Sequence, residues 1–296
     1  MEIINLKSYA KINLSLDILG KLENGYHQVE MIMQQIDLHD DVAVRFTAHK
    51  TGGIEVKAST NRHYLPTDDR NIAVKAAKLM IKEFAEDRRG ELRIDIKKRI
   101  PVAAGLAGGS GNAAAVLLGI NQLWKLDLPL ETLCALGSSL GADVPFSISA
   151  QAGAFHCALA EGVGTKLTGL PSAEGYIVLS KPPLSVSTKQ VYQGISLDNI
   201  TRHPNTKELI EGLQMGNIQK IINNMINVLE IYTLNRYDKV MYTKNMMENL
   251  CETGGVLMSG SGPTVYAFTK NKEEAERVYK RLKEQNKETF LTKTTT

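Results

Sequence analysis

The residues best suited to chemistry in this chain form a glycine-rich run, PVAAGLAGGSGN, at residues 101–112. A segment ending in Lys97, Lys98 and Arg99 leads into it, and a helical pattern leaves it. Gly105, Gly108, Gly109 and Gly111 permit backbone conformations closed to other residues and let the chain come close to a ligand. At a helix start, N–H groups without intrahelical partners point at one place, and the helix dipole adds to them; together they favour a phosphate. Ser110 adds a hydroxyl suited to a phosphate oxygen or a magnesium ion. No Gly-Lys-Ser/Thr follows the glycines, so this is not a Walker A loop, and it lacks the Rossmann spacing. A packing loop beneath a helix would carry the same glycines, so the run alone leaves both readings open.

Four other segments have a chemical reading beside a plainer one. Asp143, in GADVPF, is either a turn or capping aspartate or a catalytic carboxylate near a substrate hydroxyl. Lys11, in AKINL, lies on the solvated face of a strand or places its ammonium in a pocket, where it would lower the pKa of a carboxylate. In Gly25-Tyr26-His27 the ring of Tyr26 could stack and His27 could make directional hydrogen bonds, or the segment is an ordinary hairpin turn. SGSGPT, at residues 259–264, is a tight turn or a loop whose backbone closely approaches a ligand or another domain.

These segments need elements to hold them. Ile12, Leu14, Leu16 and Ile18 alternate with polar residues, the period of a half-buried strand. Residues 23–25 read as a turn. Further strands are expected over 29–36, 41–46, 53–58, 92–97, 152–159, 176–180, 255–259 and 264–269. Helices are expected over 71–84, capped by Asp68 or Asp69, then 110–124, 129–140, 206–212, 217–229, 236–253 and 273–285. The stripe of the helix after the glycine run is Val116, Leu117, Ile120, Leu123 and Trp124. Small polar residues over 160–172 suggest a hinge, and the tail LTKTTT reads as frayed. Helices and strands without steady βαβ alternation indicate an α+β fold.

The chain has 296 residues, a formal charge of +3 and 43% hydrophobic residues, a globular composition too evenly charged to point to nucleic acid or an acidic membrane. Cys134, Cys157 and Cys251 lack paired spacing, which argues against structural zinc and disulfides and fits a reducing cytoplasm. The N-terminus lacks the pattern of a signal peptide. Residues 101–124 are uncharged but interrupted by glycines, a proline and two asparagines, so they read as a loop and a buried helix rather than a membrane span.

Taken in order, AKINL, GYH, PVAAGLAGGSGNAA, GADVPF and SGSGPT resemble the GHMP kinase superfamily across nearly the whole chain. Within it, AKINLSLDILGKLENGYHQVE resembles the branch that phosphorylates a hydroxyl of a cytidine-diphosphate-linked methylerythritol in non-mevalonate isoprenoid precursor biosynthesis. The resemblance implies a two-lobed α+β fold. Its ribosomal-protein-S5-like N-terminal domain, residues 1–163, would bind ATP. Its C-terminal domain, residues 164–296, would be ferredoxin-like, with the substrates in the cleft. It implies an ATP loop made of Pro101, Val102, Ala103, Ala104, Gly105, Leu106, Ala107, Gly108, Gly109, Ser110 and Gly111, continued by Asn112. Asn71, Lys97 and Lys98 would lie on the adenine side. Lys11 and Asp143 would be the catalytic pair. Asn13, Tyr26 and His27 would bind cytidine, with Tyr192 as a second stacking ring. ATP and Mg²⁺ are the implied cofactors, with Ser110 as a metal ligand and no acidic residue near the loop as an obvious second one. The implied partner is a small molecule bearing a cytidine diphosphate group, with neither nucleic acid nor membrane. Two positions depart from the pattern. Gly111 stands where a second serine is usual, which should loosen the helix start and weaken affinity or alter metal handling. Val163 stands where an arginine is usual between two glycines.

Overall fold

The computed structural model describes residues 2–23 and 25–296, and Asn24, in the expected turn at 23–25, lies outside them. The chain divides into two compact units. Of the described residues, one contains 2–10, Leu38–Ile100 and Ala107–Ala154, and the other contains those of 11–37, Pro101–Leu106 and Phe155–Thr296. Strands β1 (Glu2–Lys21) and β2 (His27–Ala48) pair with each other and contribute residues to both units.

The first unit adds β3 (Ile54–Thr60), α1 (Ile72–Phe84), β4 (Gly90–Lys97), α2 (Gly108–Leu123), α3 (Leu130–Leu140) and α4 (Val144–Gln151). β4 pairs antiparallel with β2, from Asp41↔Lys97 to Ala48↔Gly90. It pairs in parallel with β3, and α1 makes the crossover that a parallel pair requires. Val42, Val44, Leu92, Ile94 and Ile96 meet Ala73, Ala76, Ala77 and Met80 of α1 in one core. α2 is buried around its circumference from Gly111 to Leu117, not along the single expected stripe, as befits a helix enclosed in a core.

Two expectations change in this unit, and one further helix is found. Residues 29–46 lie in one strand, not two, and the acidic residues near the expected break are paired where they stand. Asp40 accepts the backbone N–H groups of Arg99 and Ile100, and Asp41 pairs with Arg99. Asn71, rather than Asp68 or Asp69, caps α1, accepting from the N–H of Ala73 at 3.0 Å. Asp68 pairs with Arg70 instead. Residues 144–151 are helical, with Pro145 in the first turn, where its missing N–H costs nothing.

The second unit adds β5 (Cys157–Gly162), β6 (Lys166–Leu170), β7 (Tyr176–Lys181), α5 (Thr188–Gly194), α6 (Thr206–Met215), α7 (Ile218–Asn223), α8 (Glu230–Arg236), α9 (Asp238–Leu250), β8 (Gly255–Met258), β9 (Val265–Thr269), α10 (Lys272–Gln285) and β10 (Glu288–Lys293). β5 pairs with β2 and β6, and an antiparallel sheet runs β10-β7-β9-β8. From β7 onward its strands and helices follow the β-α-β-β-α-β ferredoxin-like pattern.

Here too the sequence reading is corrected. Residues 152–156 lie outside the strand, which starts at Cys157, and residues 157–170 form a hairpin where the composition suggests a hinge. The expected helix over 217–229 ends at Asn223, and a separate helix begins at Glu230. The tail is not frayed. Leu291, Thr292 and Lys293 pair with β7, and Thr295 donates its N–H to Gln35 O at 3.1 Å. No described helix is long and apolar enough to cross a membrane.

Candidate active site

The glycine run ends on a helix start that presents its N–H groups. Ala107, the N-cap of α2, has φ 54° and ψ 24° and makes no side-chain capping bond. A non-glycine residue in this left-handed region carries strain of order 1 kcal/mol, the kind held at functional sites by surrounding structure. The first helical bond runs from Gly111 N to Ala107 O at 2.8 Å. The N–H groups of Gly108, Gly109 and Ser110 precede it, and no acidic side chain lies in this turn to compete with a phosphate. Gly109 is exposed and Ser110 half-buried.

Gly111 is a close-approach position rather than a loose one. An added Cβ would lie 2.7 Å from Ser8 Oγ and 3.0 Å from Tyr9 O, and Gly111 O accepts from Gln151 Nε2 at 3.1 Å. Gly108 is confined as well, since its Cβ would meet Ile100 Cγ2 at 2.9 Å and Lys98 Nζ at 3.1 Å.

Asp143 occupies the N-cap of α4, yet its carboxylate does not cap that helix. Its backbone oxygen takes Ser147 N at 3.1 Å and Ser147 Oγ at 3.0 Å. Asp143 is half-buried, and its main chain is fixed by the first turn of α4. The three residues expected on the adenine side divide. Lys97 is exposed at the end of β4. Lys98 is buried with its Nζ on Asp40 and on Asn112 Oδ1, the latter at 3.1 Å. Asn71 uses its carbonyl on α1 and donates its Nδ2 to Pro66 O at 2.8 Å.

In the second unit, Lys11 is 5% exposed and its Nζ donates to Asn13 Oδ1 at 2.7 Å, which excludes the solvated-face reading. Lys11 N also donates to Leu106 O at 3.2 Å, tying β1 to the front of the glycine run. Pro101, Ala104 and Leu106 are buried, Val102 and Gly105 half-buried, and Ala103 exposed at φ 50°. Gly105, at φ +73°, faces the SGSGPT loop, where a Cβ would fall 2.1 Å from Ser259 O. Ser259 Oγ donates to Gly105 O at 2.9 Å. Within the second unit the SGSGPT loop thus packs closely on the front of the glycine run. The ring of His27 lies 5.3 Å from that of Tyr192, tilted by 42°, while Tyr26 is 66% exposed. Burial, aided by the charge of Lys21, lowers the His27 pKa below its ordinary 6.5, which favours neutral imidazole at pH 7.

Sequence reasoning missed the groups that hold these parts. Asn227 Nδ2 donates to Met258 O at 2.8 Å and Gly260 O at 2.7 Å, pinning the SGSGPT loop. Tyr266 Oη donates to Asn13 O at 2.8 Å. Neither residue sits in a motif. Only the buried position of Tyr266 in an apolar strand hints that its hydroxyl needs a partner.

Comparisons with known proteins agree with this architecture. The family model "GHMP kinases N terminal domain" matches residues 71–151, and "GHMP kinases C terminal" matches residues 206–288. A 4-diphosphocytidyl-2-C-methyl-D-erythritol kinase of Clostridium botulinum (strain Eklund 17B / Type B) is 46% identical over 98% of this chain and 100% of its own length. One from Clostridioides difficile (strain 630) is 48% identical over 93% of this chain and 90% of its own. A solved 4-(cytidine 5'-diphospho)-2C-methyl-D-erythritol kinase superposes with a TM-score of 0.81 at 27% identity, covering 99% of this chain and 100% of the other. Homoserine kinase from Cytophaga hutchinsonii shares the fold alone, with a TM-score of 0.71 at 18% identity over 100% of this chain and 95% of the other. With full-length identity well above that at which relatedness is secure, the chain belongs to the 4-diphosphocytidyl-2-C-methyl-D-erythritol kinase family of the GHMP kinases.

Proposed function

We propose that this chain transfers the γ-phosphoryl group of ATP to a hydroxyl of 4-diphosphocytidyl-2-C-methyl-D-erythritol, a step of non-mevalonate isoprenoid precursor biosynthesis. The observation that carries the reading is the uncapped, glycine-lined start of α2, in a chain of this kinase family. Phosphoryl transfer needs positioning and charge stabilisation more than covalent chemistry, and backbone N–H groups supply both without rearranging. The amides of Gly108, Gly109 and Ser110 hold the terminal phosphates. Asp143 takes the proton of the attacking hydroxyl as its bond to phosphorus forms. Lys11 keeps that carboxylate ionised and offsets charge on the transferring group. Tyr26 and Tyr192 stack on the nucleobase, while Asn13 and neutral His27 read its edge. Lys97 and Asn71 border the adenine side. Lys98, committed to Asp40, acts there through the backbone it anchors.

A divalent ion fits this donor set as a cation carried in on the phosphates. Among the described residues no three His, Cys, Asp or Glu side chains converge on one point. Mg²⁺ bound largely through substrate phosphates keeps several of its waters and needs no protein cage. Ser110 is the hydroxyl that would hold it, and when bound the ion neutralises charge between the β- and γ-phosphates. The same reading assigns residues 1–163 to ATP binding and 164–296 to the C-terminal domain. The free thiols of Cys134, Cys157 and Cys251 support a cytoplasmic setting.

A coupled ADP-release assay on the wild type and Asp143→Asn tests the proposal. The wild type should release ADP only with the cytidine substrate, and the variant should lose about 10²–10⁴-fold in kcat with little change in KM. Folded wild-type protein without substrate-dependent release would overturn the function. An unchanged variant would overturn the role of Asp143.

A further inference from the structure

Asp40 is a fully buried carboxylate on β2 that the reaction as described leaves unused. Its Oδ1 accepts Arg99 N at 2.7 Å and Ile100 N at 2.9 Å. Its Oδ2 accepts Lys98 Nζ and, at 2.9 Å, Asn112 Nδ2. Asn112 Nδ2 also donates to buried Ser8 Oγ at 2.9 Å, and Lys98 Nζ bridges back to Asn112 Oδ1. Every polar group in this cluster is satisfied inside the first unit.

The placement of these bonds along the chain is what gives them meaning. Arg99 and Ile100 are the last residues before the glycine run, and Asn112 lies in the first turns of α2 just beyond it. One carboxylate therefore grips the chain where it enters the run and where it leaves. Lys98 Nζ also lies 3.1 Å from the point a Gly108 Cβ would occupy, so the ion pair borders the first residue of α2. A pair that served stability alone could be replaced by apolar side chains of similar volume. Such side chains could not accept two backbone N–H groups at one end and a side-chain amide at the other.

We propose that Asp40, with Lys98 and Asn112, is the positioning group of the phosphate loop. It fixes the separation of the loop's two ends and so the aim of the N–H groups of Gly108, Gly109 and Ser110. This rests on the kinase reading above. Asp40 touches neither substrate; it acts through the backbone. A 1 Å error in such donors is enough to cost a large factor in rate.

The test measures MgADP and the cytidine substrate separately by calorimetry, beside the KM of each in turnover. The proteins are wild type, Asp40→Asn, Asp40→Asn with Lys98→Met, and Asn112→Ala. The double variant removes the cation that Asp40→Asn would leave buried and unpaired. Asn112→Ala removes only the exit tie, and it keeps the test decisive if the Asp40 variants do not fold. MgADP affinity should fall at least tenfold and the KM for ATP rise in parallel, with the cytidine substrate binding within twofold of wild type. Folded variants that bind MgADP as wild type does, or that lose both ligands equally, would overturn the proposal. Wild type that binds MgADP but turns nothing over would count against the kinase reading and leave the MgADP comparison intact.

Discussion

At Gly111 the chain has no room for a serine without moving something. The Cβ would press on Ser8 Oγ at 2.7 Å and on the backbone oxygen of Tyr9 at 3.0 Å. Gly111→Ser should therefore destabilise the protein by about 1–3 kcal/mol, the usual cost of overpacking. Adding Ser8→Ala should restore part of it, since Tyr9 O remains. Denaturant melts would check this, and an unchanged midpoint for the single variant would contradict it. His27 is read by pH. Its folded pKa lies below 6.5 because burial disfavours the imidazolium, so the form suited to reading a base edge persists at pH 7 and is lost only as pH falls through that lowered value. The KM for the cytidine substrate should be flat at about pH 7–8 and rise only below about pH 6.5, and His27→Asn should remove the dependence. A rise on the alkaline side would exclude this role.

Among the elements, α2 and α4 stand where the proposed chemistry is assigned, and both begin without a side-chain cap. The cost of an uncapped start is about 1 kcal/mol, and at α2 it leaves the first N–H groups without a side-chain acceptor. Side chains cap five other helices, where Asn71, Ser187, Asn205, Asn217 and Asn271 each accept a backbone N–H, while α3, α8 and α9 also start without one. The last strand is equally structural. Thr294 N donates to Gly175 O at 3.1 Å, Thr295 Oγ1 to Gln35 Oε1 at 2.9 Å, and Gln34 Nε2 to Thr295 O at 3.1 Å. Deleting residues 291–296 should cost roughly 2–4 kcal/mol, at about 1 kcal/mol for each of several bonds. A thermal melt should show a lower Tm, whereas an unchanged Tm would mean the tail is dispensable.

Across the whole molecule, the two compact units each take segments from distant parts of the chain. That explains which features were legible beforehand. The motifs were legible because their chemistry is local: glycines at set spacing before a helix, an aspartate after a helix end, a tyrosine and histidine after a turn. Most elements followed from hydrophobic period, and their order without steady βαβ alternation indicated the α+β class. The continuity of β2 was not legible, because the polar residues between its two expected halves find their partners only in the fold. Asp40 meets Lys98 and Asn112, 58 and 72 residues away in sequence. The tail looked unsupported because its partners on β7 and at Gln35 are equally remote. The sequence alone determined which residues could bind phosphate, take a proton or stack on a base, since those properties belong to the side chain and its immediate neighbours. Only the tertiary structure decided that Lys11 is buried, that Lys98 is an anchor and that Gly111 is a packing requirement, because burial and close approach are set by parts of the chain far apart in sequence.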